Sequence, residues 1–232
     1  MKLIMPMAGE GSRFNEQIKP LVDVGGVPMF VHAERCIGID FTQRIFIVRT
    51  EHNLAPVIEQ YYPGATVIEI DATTEGTACT ILLAREHWQE GDAIFISNCD
   101  QHVEWNGDLN FRHSGGCIFT FFCDTGDTKW SYALTDDDSQ VLEVAEKRAI
   151  SSDATAGWYY WRDGRDFEVA AERMIAADDR VNGEFYTAPV YNYHIDQQSP
   201  ESSVQILDVD HMQGIGTPED LTEYLLSLTD ED

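Results

Sequence analysis

The chain is poor in positive charge. Its 232 residues hold 15 Lys and Arg against 41 Asp and Glu, a formal charge of −26. A surface this acidic repels nucleic acid and anionic membranes, so neither is an expected partner. No run of 18 apolar residues occurs, which argues against a membrane-spanning helix. The apolar stretch at Met1–Pro6 is too short for a secretory signal. Five cysteines stand singly, without CxxC spacing, and fit a reduced, cytoplasmic compartment. Gly-Lys-Ser/Thr is missing, so there is no Walker loop. The seven histidines show no HExxH or similar spacing and read as surface or packed residues.

The scarce cations are unevenly placed. Residues 1–50 carry six basic and five acidic residues, a balance of +1, which leaves −27 for the rest. The one segment able to receive an anion has kept its cations. The same segment opens a regular alternation. Lys2–Met7, Arg44–Arg49, Thr66–Ile70 and Asp92–Ile96 read as strands, and Pro28–Ile37, Glu51–Tyr62 and Gly76–Trp88 as helices. This β-α-β order argues for a parallel, doubly wound sheet. The second half is richer in strands: Cys117–Cys123, Tyr132–Thr135, Val141–Ala145, Gly157–Trp161, Tyr186–Tyr193 and Val204–Val209. Helices are expected at Asp163–Ala177 and Thr217–Leu228, the latter with Pro218 at its first position and acids in its first turn. No linker or repeat divides the chain, so residues 1–232 are expected to form one domain. Its halves would be 1–115 and 116–228, with a frayed tail at 229–232.

The first strand runs into Met7-Ala8-Gly9-Glu10-Gly11-Ser12-Arg13. Glycines at such a turn allow positive φ and let several N–H groups converge, a concavity suited to phosphate oxygens. Arg13 adds a permanently charged donor fork, and Lys19 a second cation six residues on. Phe14 occupies the third glycine position of a dinucleotide fingerprint, and the next strand ends in Arg49-Thr50-Glu51, so that reading falls.

These residues resemble a known family. A-G-E-G-S-R-F followed by K-P-L-V-D-V-G-G-V-P-M is similar to the signature loop of the nucleotidyltransferases that make nucleotide-activated sugars and alcohols. Further blocks follow in order: Gly76-Thr77-Ala78, Asn98-Cys99-Asp100, Glu146-Lys147, Gly157-Trp158-Tyr159, Gly183-Glu184-Phe185-Tyr186 and Gly214-Ile215-Gly216-Thr217-Pro218. The resemblance implies an α/β, Rossmann-like fold shared with GT-A glycosyltransferases, a three-layer sandwich with a mixed, mainly parallel central sheet. It implies nucleotide binding by Met7, Ala8, Gly9, Glu10, Gly11, Ser12, Gly76 and Thr77, and catalysis by Arg13, Lys19 and Asp100. It places the acceptor against Lys147, Gly157 and Glu184, and Mg²⁺ on Asp100.

Departures from the pattern accompany the match. Arg148 stands where the family has Pro after its acceptor lysine, and Gly214 replaces an aspartate that often ligates the metal. Asp210, or alternatively Asp208, is the expected substitute. The implied reaction joins a nucleoside triphosphate (CTP, dTTP, UTP or GTP) to a small phosphorylated acceptor with release of pyrophosphate, as in surface-polysaccharide or nucleotide-sugar synthesis. A homo-oligomer is compatible with this. A GT-A glycosyltransferase and a non-catalytic nucleotide binder are the alternatives. Asn98-Cys99-Asp100 at the position of a D-x-D favours the first reading over the glycosyltransferase. Trp158-Tyr159-Tyr160-Trp161 suits either a base or sugar platform or strand packing.

Overall fold

The first strand, β1 (Lys2–Met7), is apolar on both faces and lies in the middle of the sheet. A computed structural model describes residues 1–14, 17–195 and 202–228; the expected tail at 229–232 and the Ser12 side chain lie outside the described residues. A short hairpin, β2 (Asp23–Val24) and β3 (Val27–Pro28), leads into helix α1 (Met29–Ile37). Pro28 occupies the cap position of α1 and Gly38, at φ +62°, ends it. Strand β4 (Gln43–Arg49), helix α2 (Ala55–Tyr61), strand β5 (Thr66–Ile70), helix α3 (Thr77–Leu82) and strand β6 (Ile94–Ser97) follow.

Strands β5, β4, β1 and β6 pair in parallel, as the β-α alternation requires. Strand β4 shows why its Ile45-Phe46-Ile47-Val48 run is continuous rather than alternating. Ile45 and Ile47 pack with Ala78 and Ile81 of α3, whereas Phe46 and Val48 pack with Phe30 of α1 and Ile58 of α2. A strand covered by helices on both faces needs apolar residues at every position. The buried Glu34 of α1 is satisfied by Arg44 Nε at 2.6 Å and the Tyr62 hydroxyl at 2.8 Å.

The second half adds β7 (Gln101–Glu104), β8 (Gly116–Phe122), β9 (Ser131–Thr135), β10 (Val141–Glu146), β11 (Asp153–Trp161), helix α4 (Gly164–Ala176), β12 (Val204–Asp208), β13 (His211–Gly214) and helix α5 (Pro218–Ser227). Strand β11 joins the halves. It runs antiparallel to β6 on one side and β8 on the other, so the sheet reads β10-β9-β11-β6-β1-β4-β5, with β8 and β12 branching from β11. Strands β7 and β13 form a separate antiparallel pair. The fold is the mixed α/β sandwich expected from the sequence.

Two local expectations differ. The Gly76–Trp88 helix is only α3 followed by a 3₁₀ turn at Arg85–His87. Tyr186–Tyr193 is not a strand but contains a 3₁₀ segment, Ala188–Tyr193, because Pro189 has no N–H to give a ladder. Of the two readings left open for Trp158–Trp161, both tryptophans follow strand packing: they are buried, and Trp161 stacks on Tyr191 at 4.2 Å between centroids.

Candidate active site

A cleft of about 780 Å³ opens where β1 and β6 end. This is the size range of small-molecule sites. The loop after β1 forms one wall through Met7, Ala8, Gly9, Glu10 and Gly11, with Arg13 at its rim. Arg13 is exposed and makes no ion pair with another described residue. Gly76 and Thr77, opening α3, form a second wall. Gly76 adopts φ +138° because Phe185 crosses it: a Cβ there would meet the Phe185 nitrogen and oxygen at 2.4 Å. That crossing brings Glu184 and Tyr186 to the cleft.

Asp100, after β6, is the acidic centre. Lys19 Nζ donates to its Oδ2 at 2.5 Å. Burial pulls the Lys19 ammonium down, but the Asp100 charge, Cys99 and that hydrogen bond together push its pKa above the ordinary value. Lys19 therefore stays a cation. The chain returns to Asp100 at its far end: Ile215 N–H donates to the Asp100 carbonyl at 2.9 Å. A Cβ at Gly216 would come within 2.5 Å of Asp100 Oδ2, so the bare glycine leaves that carboxylate oxygen room.

On the opposite side, Lys147 projects from a residue at φ +55° after β10. Its Nζ donates to the Tyr186 hydroxyl and lies 4.4 Å from the centre of that ring. Gly157 sits at a bulge of β11, at φ +77°, with its carbonyl accepting from Asn98 N–H at 3.0 Å. Glu146 accepts from the Ser131 hydroxyl, and burial pushes its pKa up.

The expected second metal ligand is corrected. Asp208 ends β12 and accepts from Thr120 Oγ1 at 2.8 Å, while Asp210 lies beside Glu104 at the far end of the β7–β13 ladder. Neither lines the cleft. The residue that arrives there is Gly214, paired with Gln101; at roughly 3.3 Å per strand residue, Asp210 is held four positions back. The cleft also contains groups that sequence reading missed: Gln101, Lys129, Trp130 and Thr187. Gln101 Oε1 and Thr187 Oγ1 are buried there without a hydrogen-bond partner among the described residues. No motif marks them, since separate parts of the chain supply them. Cys99 also lines the cleft, but burial pushes its thiol up to about 12, which leaves it inert.

Residues 4–103 match the MobA-like NTP transferase domain. The family resemblance read from the sequence therefore holds over that stretch. The fold holds over the whole chain. A nucleoside-diphosphate-sugar pyrophosphorylase of Vibrio cholerae RC9 superposes with a TM-score of 0.84 at 24% identity, covering 97% of this chain and 99% of the other. The CTP:phosphocholine cytidylyltransferase of Streptococcus pneumoniae gives 0.71 at 19% identity, with 98% of each chain covered. The inositol-1-phosphate CTP transferase of T. maritima gives 0.71 at 13% identity, covering 99% and 94%. No curated protein sequence matches the chain.

Proposed function

We propose that the chain is a nucleotidyltransferase that transfers a nucleotidyl group from a nucleoside triphosphate to a small phosphorylated acceptor and releases pyrophosphate. The observation that carries this reading is the meeting of Arg13, Lys19 and Asp100 in one cleft, with Lys147 across from them. The cleft holds four of the chain's 15 Lys and Arg (Arg13, Lys19, Lys129, Lys147) but only five of its 41 acids. Cations are concentrated where an anionic substrate would lie.

In the reaction an acceptor phosphate oxygen attacks the α-phosphorus. A P–O bond forms there as the bond to the β-phosphate oxygen breaks, and the electron pair leaves with pyrophosphate. The protein's work is positioning and charge compensation. The N–H groups of the 7–11 loop and the Arg13 fork receive the triphosphate, and Lys19 balances the charge growing on the leaving group. Lys147, oriented by Tyr186, holds the acceptor phosphate on the opposite side. Gly76 and Thr77 border the base, and Glu184 and Gly157 the acceptor.

The cleft also fits Mg²⁺. Its cations and acids nearly cancel, so they do not by themselves offset a triphosphate, and Asp100 offers hard oxygen beside the space left by Gly216. Asp100 would hold the ion together with phosphate oxygens, and the ion would neutralise charge on them. With Gly214 in place of the family's aspartate, Asp100 is the carboxylate on which this reading relies.

Pyrophosphate release tests the proposal, with CTP, dTTP, UTP and GTP each offered with glucose 1-phosphate, inositol 1-phosphate and phosphocholine. One pairing should turn over with Mg²⁺. Arg13→Ala should lower its rate on the order of 10²–10³-fold, the usual cost of losing one preorganised electrostatic donor. Full activity in that variant, or nucleotide binding without pyrophosphate from any pairing, would overturn it. The latter result would favour a nucleotide-binding protein without catalysis.

A further inference from the structure

Outside the cleft, three soft donors converge that are far apart in sequence. His32 and Cys36 are one helical turn apart on α1, and so share a face. His102 is the second residue of β7. One ligand atom from each of His32, Cys36 and His102 lies within 4.8 Å of the others. His32 Nε2 is 3.0 Å and Cys36 Sγ 3.6 Å from His102 Nδ1. The Tyr224 hydroxyl, from α5, reaches the same nitrogen at 3.2 Å. None of these residues lines the nucleotide cleft.

One hydrogen bond, between His32 Nε2 and His102 Nδ1, accounts for only part of this arrangement. An imidazole nitrogen carries either one lone pair or one proton, and so sustains one well-directed bond. Three polar groups nevertheless crowd His102 Nδ1. A metal ion resolves the conflict, because every donor then points at the ion and not at a neighbouring donor. Zinc bonds of about 2.0–2.1 Å to nitrogen and 2.3 Å to sulfur set tetrahedral edges near ~3.4 Å (N–N) and ~3.6 Å (N–S). The N–S separation of 3.6 Å matches its edge, and the N–N separation of 3.0 Å would open by about 0.4 Å on binding.

The other side of His102 also fits. Its Nε2 lies 3.1 Å from Glu104 Oε1. A carboxylate that accepts the remote ring N–H fixes the tautomer with Nδ1 free, the arrangement that supports metal-ligating histidines.

We propose that His32, Cys36 and His102 bind one Zn²⁺, with Glu104 orienting His102 and the fourth position left to the Tyr224 hydroxyl or water. On binding, the Cys36 thiol gives up its proton to solvent and the thiolate supplies the bond. The ion would tie α1, β7 and α5 together one residue beyond Gln101 of the cleft. Two histidines and one thiolate suit Zn²⁺ and other borderline ions, not Mg²⁺.

The test titrates the full chain, stripped of metal and reduced, with Co²⁺ as an optical stand-in for Zn²⁺ in the presence of excess Mg²⁺. One equivalent should give four-coordinate d–d bands and a thiolate-to-cobalt charge-transfer band, and Zn²⁺ should bleach both. Cys36→Ser should abolish the charge-transfer band. Glu104→Gln should weaken Co²⁺ binding about 10–100-fold, the usual effect of removing such a support. Asp100→Asn should leave the spectrum intact. Far-UV circular dichroism checks that each variant is folded, and His32→Gln provides an independent variant that should also lose tight binding. A six-coordinate spectrum without the thiolate band, a band that survives Cys36→Ser, or a signal lost in Asp100→Asn would overturn the proposal.

Discussion

Gly76 has no side chain, and the cleft depends on that. Its φ of +138° and the 2.4 Å approach of the Phe185 backbone leave no position for a Cβ, and the obstacle is main chain, not a movable side chain. Gly76→Ala should therefore cost at least ~1–3 kcal/mol, the scale of enforced backbone strain, and lower the melting temperature by several degrees. Gly9→Ala is the matched control. Nothing lies within 4 Å of its Cβ and its φ is not positive, so its melting temperature should stay near that of the parent chain. Equal melting temperatures for the two variants would contradict the packing described here. Both glycines stand out in the sequence, one in a G-T-A block and one in the first loop. The difference between them arises only from the crossing of Phe185.

At the scale of elements, α4 shows how local chemistry starts a helix and also ties it to another part of the chain. Asp163 Oδ1 accepts from Arg165 N–H at 2.9 Å, an N-cap, while Oδ2 accepts from Gly91 N–H at 2.8 Å. Asp163→Ala should cost about 1–2 kcal/mol, the upper part of the N-cap range, because it also releases the loop before β6. Urea unfolding with an unchanged slope checks this, and a loss below a few tenths of a kcal/mol would show that the second bond adds nothing. A cap and an amphipathic run are sequence-local signals, which is why α4 and α5 were legible to within a residue or two. Residues 186–193 were not. Their apolar, aromatic composition suits a strand, but Pro189 denies it a ladder, and Tyr191 instead buries its ring against Trp161 with its hydroxyl donating to the Tyr160 carbonyl at 2.8 Å. Composition could not tell a strand from a buried 3₁₀ segment of the same residues.

At the scale of the whole molecule, a charge of −26 opposes compaction. Raising ionic strength from about 0.01 M to 0.15 M shortens the screening length from roughly 30 Å to 8 Å. The melting temperature should rise over that interval in NaCl. A flat or falling value would mean that the paired charges, such as Lys2 with Asp92 at 2.8 Å, outweigh the repulsion. No helix among the described residues is long and apolar enough to cross a membrane, in line with the lack of long apolar runs.

The alternation of apolar runs with helix-forming segments determined the parallel half of the sheet. Burial on both faces and on one face leave different periodicities, and these survive in the order of residues. That the glycine-rich loop, Arg13 and Lys19 would lie together was visible for a similar reason: they fall within thirteen residues of chain, and they line one cleft. Only the tertiary structure decided which distant groups share a site. It brought Gly214 rather than Asp210 beside Gln101, because the β7–β13 register fixes who faces whom. It drew Gln101 and Thr187 into the cleft, and it gathered His32, Cys36 and His102, whose 66- and 70-residue separations no motif spacing could reveal. Short-range periodicity is written in the chain itself, whereas the meeting of distant side chains depends on strand order and register, which emerge only once the sheet has formed.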